Sequence, residues 1–379
     1  MKLLHIIAAY KPAYIYGGPT MSVAKLCEQL VASGHQIDVY ATTANGLAEL
    51  DVVPNASVKI DGVNVIYFKR ITKDHTHFSP ALLISLWKNA RQYNAVHIHA
   101  WWNLVSVLSC IVALMRGVTV FISPRGTLSP YSFENRNSGI KKLLHNLIGR
   151  LLLNRSHIHV TSQHEYTAIQ SLVSPKSMTT IPNFVKLGKG YPQNVLALAQ
   201  PFKLIFLSRI EEKKNLEILF NALPDVAAPY HLTIAGDGNP GYIKTLKALA
   251  TKNNIAEHIT WVGFLNDDKF DVLSRHDLFV LISYDENFGN AIIESLSVGT
   301  PVLISTDVGL ANYVTENKLG WLCERSADSV SFALNQIITY KTHEILAIRK
   351  NAPLIIRNNF NEIPLTKLYT GLYKQHIND

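Results

Sequence analysis

At 379 residues, 47% of them hydrophobic and 17% charged, the chain has an ordinary globular composition and room for two domains, each able to bury its own core. Three widely spaced cysteines, Cys27, Cys110 and Cys323, exclude a disulfide framework and lack the spacing of a zinc site, so a reducing cytoplasm is the expected compartment. The net charge of +8 is unevenly placed: residues 1–187 hold 18 Lys+Arg against 8 Asp+Glu, and residues 188–379 hold 18 against 20. A field able to steer a phosphorylated substrate or an anionic membrane belongs to the first half. None of its basic stretches carries the interleaved aromatics of a single-strand groove, and no nucleic-acid partner is expected.

In chain order, Leu3 to Ala9 reads as a first buried strand. It is too short for a signal peptide, is followed by Lys11-Pro12 and has no small-residue cleavage site. Tyr16-Gly17-Gly18-Pro19 then opens a helix through Lys25 and Leu30. The glycine pair is either a plain turn or a place where a phosphate meets backbone N–H groups at a helix start; it is not the G-x-G-x-x-G of a nicotinamide site. The runs Gln36 to Ala41, Ala95 to Ile98 and Thr119 to Ile122 alternate with helical stretches, the βαβ pattern of a parallel sheet. His99 stands at a strand end, where it can face a ligand, and His97 reads as structural. Leu104 to Met115, interrupted by Ser106 and Ser109, falls short of the ~20 residues that cross a bilayer and is expected as a buried helix. Residues 140–152 place Ile140, Leu143, Leu144, Leu147, Ile148, Leu151 and Leu152 at helical spacing, with Lys141, Lys142 and Arg150 on the other face and Arg155 beyond. That stripe either packs on the core with solvated charges behind it or serves a membrane surface. Ile181-Pro182-Asn183-Phe184 and Lys186 to Gln193 read as a linker, with the domain boundary at 187/188.

A second series of apolar runs follows: Phe202 to Leu207, His231 to Ala235, Ile259 to Val262, Leu278 to Ile282 and Pro301 to Ile304. Two doubly wound α/β domains are predicted, and in such folds ligands lie beyond the carboxyl ends of the strands. Three loops in that position stand out. In Ser208-Arg209-Ile210-Glu211-Glu212-Lys213-Lys214, Arg209 and Lys214 can converge on a pyrophosphate, or the lysines are simply solvated. Ala235-Gly236-Asp237-Gly238 is a tight glycine turn. Glu286-Asn287-Phe288-Gly289 leads into a helix beginning Asn290-Ala291, with Glu294 eight residues after Glu286. Two carboxylates suit sugar and ribose hydroxyls and helix N-terminal amides suit phosphate; the alternative is one helix-start acid and one unrelated surface acid.

The Glu-x7-Glu spacing, the Ser-Arg-Ile-x3-Lys loop, Ile181-Pro182-Asn183 and Gly17-Gly18 together resemble glycosyltransferase family 4, retaining enzymes of the GT-B fold, over nearly the whole chain. Ser123-Pro124-Arg125-Gly126-Thr127-Leu128-Ser129-Pro130 is similar to a loop of members that build bacterial surface polysaccharides. The resemblance implies two Rossmann-like domains facing each other across a cleft, 1–187 for the acceptor and 188–379 for the donor, the last helix returning to the first. It assigns Arg209 and Lys214 to the donor diphosphate, Gly17 and Gly18 to its backbone approach, Glu286 to the donor sugar, Glu294 to the ribose and His99 to the reacting sugar. Gly236, Asn287, Phe288, Gly289, Asn290 and Ala291 complete the donor site, and Arg125 faces the acceptor. It implies no cofactor; since no Asp-x-Asp occurs, no metal is expected either. The expected partners are a nucleotide sugar, with UDP favoured, and a glycan or polyprenyl-diphosphate-linked acceptor, with peripheral membrane contact. One departure is visible: Asn215 stands where the family commonly has glycine. An epimerase or phosphorylase of the same fold, or an inactive binding partner, are the competing readings.

Overall fold

The computed structural model describes residues 1–134, 138–188, 198, 200–266 and 268–377, so 189–193 of the expected linker lie outside the described residues. It divides into two compact units, Met1–Phe184 with Glu362–Asp379, and Val185–Asn361. The division thus falls after Phe184, three residues before the predicted boundary, and the helix Glu362–His376 belongs to the first unit.

The first unit is built on an eight-stranded sheet in the order Ser177–Thr180, His157–Val160, Thr119–Ser123, Ala95–His99, Lys2–Ile6, Gln36–Thr42, Val63–Phe68, Ser57–Ile60. All neighbours are parallel except the last pair. Strand alternation gives its two faces different chemistry. One face carries Leu4, Ile6, Val96, Ile98, Val120, Ile122, Ile158 and Val160 and is mainly apolar, with the buried Asp38 beside Leu4 accepting from Tyr93 O–H at 2.7 Å. The other mixes Leu3, Ile7 and Phe121 with the buried His5, His97, His99, Ser123 and His159. Register sets His5 opposite His97 and His99 opposite Ser123.

Helix Leu104–Met115 is capped by Asn103, whose side chain accepts from Ser106 N–H at 2.8 Å, and buries one side, as its composition predicts. The stretch 138–154 is an α-turn pair, Ser138–Leu144 and Arg150–Asn154, joined by a π-helical turn, His145–Gly149. Its stripe does not pack on the core: Leu152 is buried, but Leu143, Leu144, Leu147, Ile148 and Leu151 are exposed. The buried side is instead formed by His145, Gly149, Leu152 and Leu153, so the leucine stripe stays together but faces outward. The side chains of Ile140 and Lys141 lie outside the description.

The second unit has six parallel strands in the order Ile259–Gly263, Tyr230–Ala235, Phe202–Leu207, Leu278–Leu281, Val302–Ser305, Gly320–Cys323. Strand order reverses between Phe202–Leu207 and Leu278–Leu281, and this switch point is where a doubly wound sheet opens a crevice. The corresponding point in the first unit lies between Lys2–Ile6 and Ala95–His99. Among the described residues no helix is long and apolar enough to cross a membrane.

Candidate functional site

The two loops that leave the switch point of the second unit hold its candidate residues. After Phe202–Leu207 the chain passes Ser208 and Arg209, and Ile210 forms a parallel bridge with Gly238. This contact explains the glycine turn. A Cβ on Gly236 would lie 1.9 Å from the Ser208 carbonyl oxygen, and one on Gly238 1.9 Å from that of Ile210. Both glycines let the Ala235–Gly238 backbone clamp the arginine loop. A 3-10 turn, Glu212–Lys214, follows, and its Lys213 carbonyl accepts from Tyr284 N–H at 2.9 Å, tying it to the exit of Leu278–Leu281.

Two ion pairs fasten the same junction: Lys213 with Asp285 at 2.9 Å, and Lys214 with Glu286. Lys214 is buried, so it is not a solvated surface charge. Arg209 is half exposed and pairs with Glu211 at 3.1 Å. Burial pushes the Glu286 carboxyl up, but Lys214, Lys213 and Arg209 outweigh it and hold the group below its ordinary value. Of the three, Lys214 alone pairs with Glu286 directly; Lys213 and Arg209 act on it from their own pairs with Asp285 and Glu211.

Gly289, at φ +87°, starts helix Asn290–Ser297; a Cβ there would meet Ile292 Cδ1 at 2.7 Å. Phe288 is buried in the core, 6.1 Å ring to ring from Phe360. Ala291 packs partly against the same core. Glu294 is buried on this helix and accepts from Lys269 Nζ at 2.6 Å.

In the first unit Gly17, at φ +66°, begins helix Gly18–Ala32, with Pro19 in its first turn and no acid there to oppose an anion. His99 and Arg125 are bonded to one another. Arg125 Nε–H donates to His99 Nδ1 at 3.3 Å, and its NH1 group donates to Ser22 Oγ at 3.0 Å and Asn183 Oδ1 at 2.8 Å. A guanidinium only donates, so His99 carries its proton on Nε2, and this N–H donates a hydrogen bond to His5 Nδ1 at 3.0 Å. His5 Nε2–H then points outward from the chain of bonds, buried and without a partner.

A second chain runs beside it. His159 Nε2–H donates to the Ile181 carbonyl at 2.9 Å, so its Nδ1 accepts from Ser123 Oγ–H at 2.6 Å. Ser123 Oγ in turn accepts from His97 Nε2–H at 2.7 Å, and His97 Nδ1 from Tyr373 O–H at 2.7 Å. Every imidazole is neutral. Burial, with Arg125 adding to it, pushes His5 and His159 down to about 3 and lowers His97 and His99 well below their ordinary value. His5, His97 and His99 bring ring nitrogens within 4.8 Å of one another. Their hydrogens and the adjacent Arg125 charge suit a hydrogen-bonded network and not a cation.

Residues 16–189 match the family model described as Glycosyltransferase Family 4, and residues 192–353 the one described as Glycosyl transferases group 1. The chain belongs to glycosyltransferase family 4. An uncharacterised glycosyltransferase of Methanocaldococcus jannaschii is 22% identical over 366 residues, 89% of each chain. The UDP-Gal:alpha-D-GlcNAc-diphosphoundecaprenol alpha-1,3-galactosyltransferase of Escherichia coli is 27% identical across 77% of this chain and 78% of its own. The solved structure of Anabaena HepE in complex with UDP and glucose superposes with a TM-score of 0.77 at 20% identity, over 99% of this chain and 100% of that one. The fold is GT-B and the protein is a glycosyltransferase.

At Asn215, the position the resemblance set apart, the backbone is left-handed. Asn215 sits at φ +57° and ψ +45°, the left-handed conformation glycine adopts freely and asparagine tolerates better than most residues. Both polar atoms of its carboxamide are buried without a partner. Sequence reasoning passed over Asp285, Lys269, His5 and Tyr373. Only Asp285 had a signal, since Lys213-Lys214 and Asp285-Glu286 are complementary dipeptides.

Proposed function

We propose that this glycosyltransferase is a retaining enzyme that moves a sugar from a nucleoside-diphosphate sugar, UDP favoured, to a glycan or polyprenyl-diphosphate-linked acceptor in surface-polysaccharide assembly. The observation that carries the reading is the charged junction at the switch point of the second unit, where Lys214 pairs with Glu286 and Lys213 with Asp285, and Arg209 stands on the same loop as the two lysines. As the bond from the sugar C1 to the diphosphate breaks, negative charge grows on the leaving oxygen, and these cations stabilise it. The acceptor oxygen bonds to C1 on the face the phosphate leaves, and the departing diphosphate takes the acceptor's proton. Glu286 then holds the sugar hydroxyls and Glu294 the ribose, with Gly17 and Gly18 approaching the phosphates. His99 acts through its place in the histidine network, since both its ring nitrogens are engaged. A lipid-linked acceptor suits an enzyme working at the cytoplasmic face of a membrane. The Escherichia coli relative, named for UDP-Gal and a diphosphoundecaprenol acceptor, supports this choice of substrates.

The test is transfer from labelled UDP sugars to lipid-linked acceptors by wild type and Lys214→Ala, with the anomeric configuration of the product read by NMR. Turnover should fall at least ~10²-fold, the effect of losing one oxyanion-hole donor. Wild-type turnover in the variant sinks the assignment. Activity should also survive EDTA, because Arg209 and Lys214 supply the positive charge; loss restored by magnesium would point to a metal site. Consumption of donor without acceptor would favour an epimerase, and dependence on inorganic phosphate a phosphorylase.

A further inference from the structure

The segment 138–154 connects strands Thr119–Ser123 and His157–Val160, and a crossover helix in a parallel sheet ordinarily buries its apolar side on that sheet. Here the burial comes from Leu152 and Leu153 in the last turn, with His145 and Gly149. Leu143, Leu144, Leu147, Ile148 and Leu151 remain 58, 48, 64, 43 and 51% exposed. Single exposed leucines are normal on a protein surface; four leucines and Ile148 within Leu143 to Leu151 form an apolar patch of the kind that serves interaction. Its charged border is one-sided. Lys142, Arg150 and Arg155 are exposed beside it, and residues 138–155 contain no Asp or Glu.

We propose that this helix lies in the plane of an anionic lipid bilayer, its leucines in the acyl-chain boundary and its Lys and Arg side chains against headgroup phosphates. Charge selects this occupant. A second copy of the chain would set the same basic border against itself with no acid on the segment to pair with it. The half of the chain that carries the helix also holds 18 Lys+Arg against 8 Asp+Glu, which adds long-range attraction to an anionic surface. Other exposed apolar residues leave the carboxyl edge of the same sheet: Ile15 after Lys2–Ile6, Leu47 after Gln36–Thr42 and Ile71 after Val63–Phe68. Their loops are knit together, Gly46 N–H donating to the Tyr16 hydroxyl at 3.0 Å and Arg70 donating to the carbonyls of Gly46 and Ala48. The inference rests on the proposed lipid-linked acceptor for its purpose, not for its physical argument.

The experiment is co-sedimentation of the full chain with phosphatidylcholine vesicles, with and without phosphatidylglycerol, at low and high salt. Wild type is compared with Leu147→Glu and with Lys142→Glu combined with Arg150→Glu. All three positions are exposed, and an unchanged unfolding midpoint confirms that the variants fold. Binding to anionic vesicles should exceed binding to neutral ones by at least about 10-fold and weaken with salt, and the double variant should lose about 30-fold or more. Equal binding to both vesicle types, or unchanged binding in both variants, overturns the proposal. So does a dimer in light scattering that Leu147→Glu splits while vesicles bind nothing. Transfer to a short soluble acceptor, assayed without vesicles, separates the two readings: its absence alongside intact vesicle binding counts against the proposed function alone.

Discussion

The two switch points solve the same problem, polar groups at the end of a buried parallel sheet, with opposite chemistry. In the first unit they are neutral: His5, His97, His99, His159, Ser123 and Tyr373 lie fully inside, and each bond fixes which nitrogen carries the next proton. In the second they are charged: Lys213 and Lys214 face Asp285 and Glu286 where the loops still meet solvent. A neutral network cannot trade partners without stranding a donor or acceptor, which makes it a rigid support. Lys214 and Asp285 are buried, so an anion that displaces a carboxylate there must supply the same pairing, which ties the junction to an anionic ligand.

Acid gives the largest expected break between the units. The four network imidazoles are depressed below their ordinary 6.5 in the folded state, as are His35, His77 and His145 of the same unit, and the four alone let the unfolded chain bind up to four more protons once the pH falls under that value. Stability of the first unit is full above 6.5 and is lost as pH drops through it toward 3, approaching about 5 kcal/mol per pH unit. Among the described residues of the second unit, only His276 is lowered in this way. Hydrogen exchange at pH 7.5 and pH 5 should show protection falling in the first unit first; equal loss in both would end the contrast.

Gly238→Ala acts on the other side. Its Cβ would meet the Ile210 carbonyl at 1.9 Å, so the arginine loop must move, at a cost of about 1–3 kcal/mol or more. The unfolding midpoint of the second unit should fall and UDP should bind more weakly, with exchange in the first unit unchanged. The smallest effect is expected from Asn215→Gly, which removes two unpartnered buried polar atoms and relieves a left-handed backbone. It should stabilise the second unit by about 1 kcal/mol in urea unfolding. Loss of UDP affinity instead would show that the carboxamide serves the ligand.

That Arg209, Lys214 and Glu286 lie on neighbouring exit loops was legible because parallel strands deliver those loops to one edge, so each apolar run followed by a charged loop could be placed there. Pairings across long sequence separations were not. Nothing in the pattern connects Lys269 to Glu294 or His97 to Tyr373; strand register and helix return decide both. His5 looked like part of an apolar first strand until its register with His97 was known. The leucines of 143–151 were correctly seen as a helical set, but periodicity cannot say which way a set faces, and a π turn leaves no mark in the spacing. Gly320–Cys323 is a short, partly exposed strand without an apolar run to announce it.

The return of Glu362–His376 to the first unit has a consequence for synthesis. A ribosome releases residues 1–184 long before it makes Tyr369 and Tyr373, which supply the Pro182 carbonyl with a donor and His97 Nδ1 with its hydroxyl. Until then one face of the larger sheet has no cover at these positions, and the apolar residues that pack with Leu365, Tyr369, Leu372 and Tyr373 stand open. The unit that emerges first is therefore the last to close, and during that interval its sheet face is open to contact with other chains.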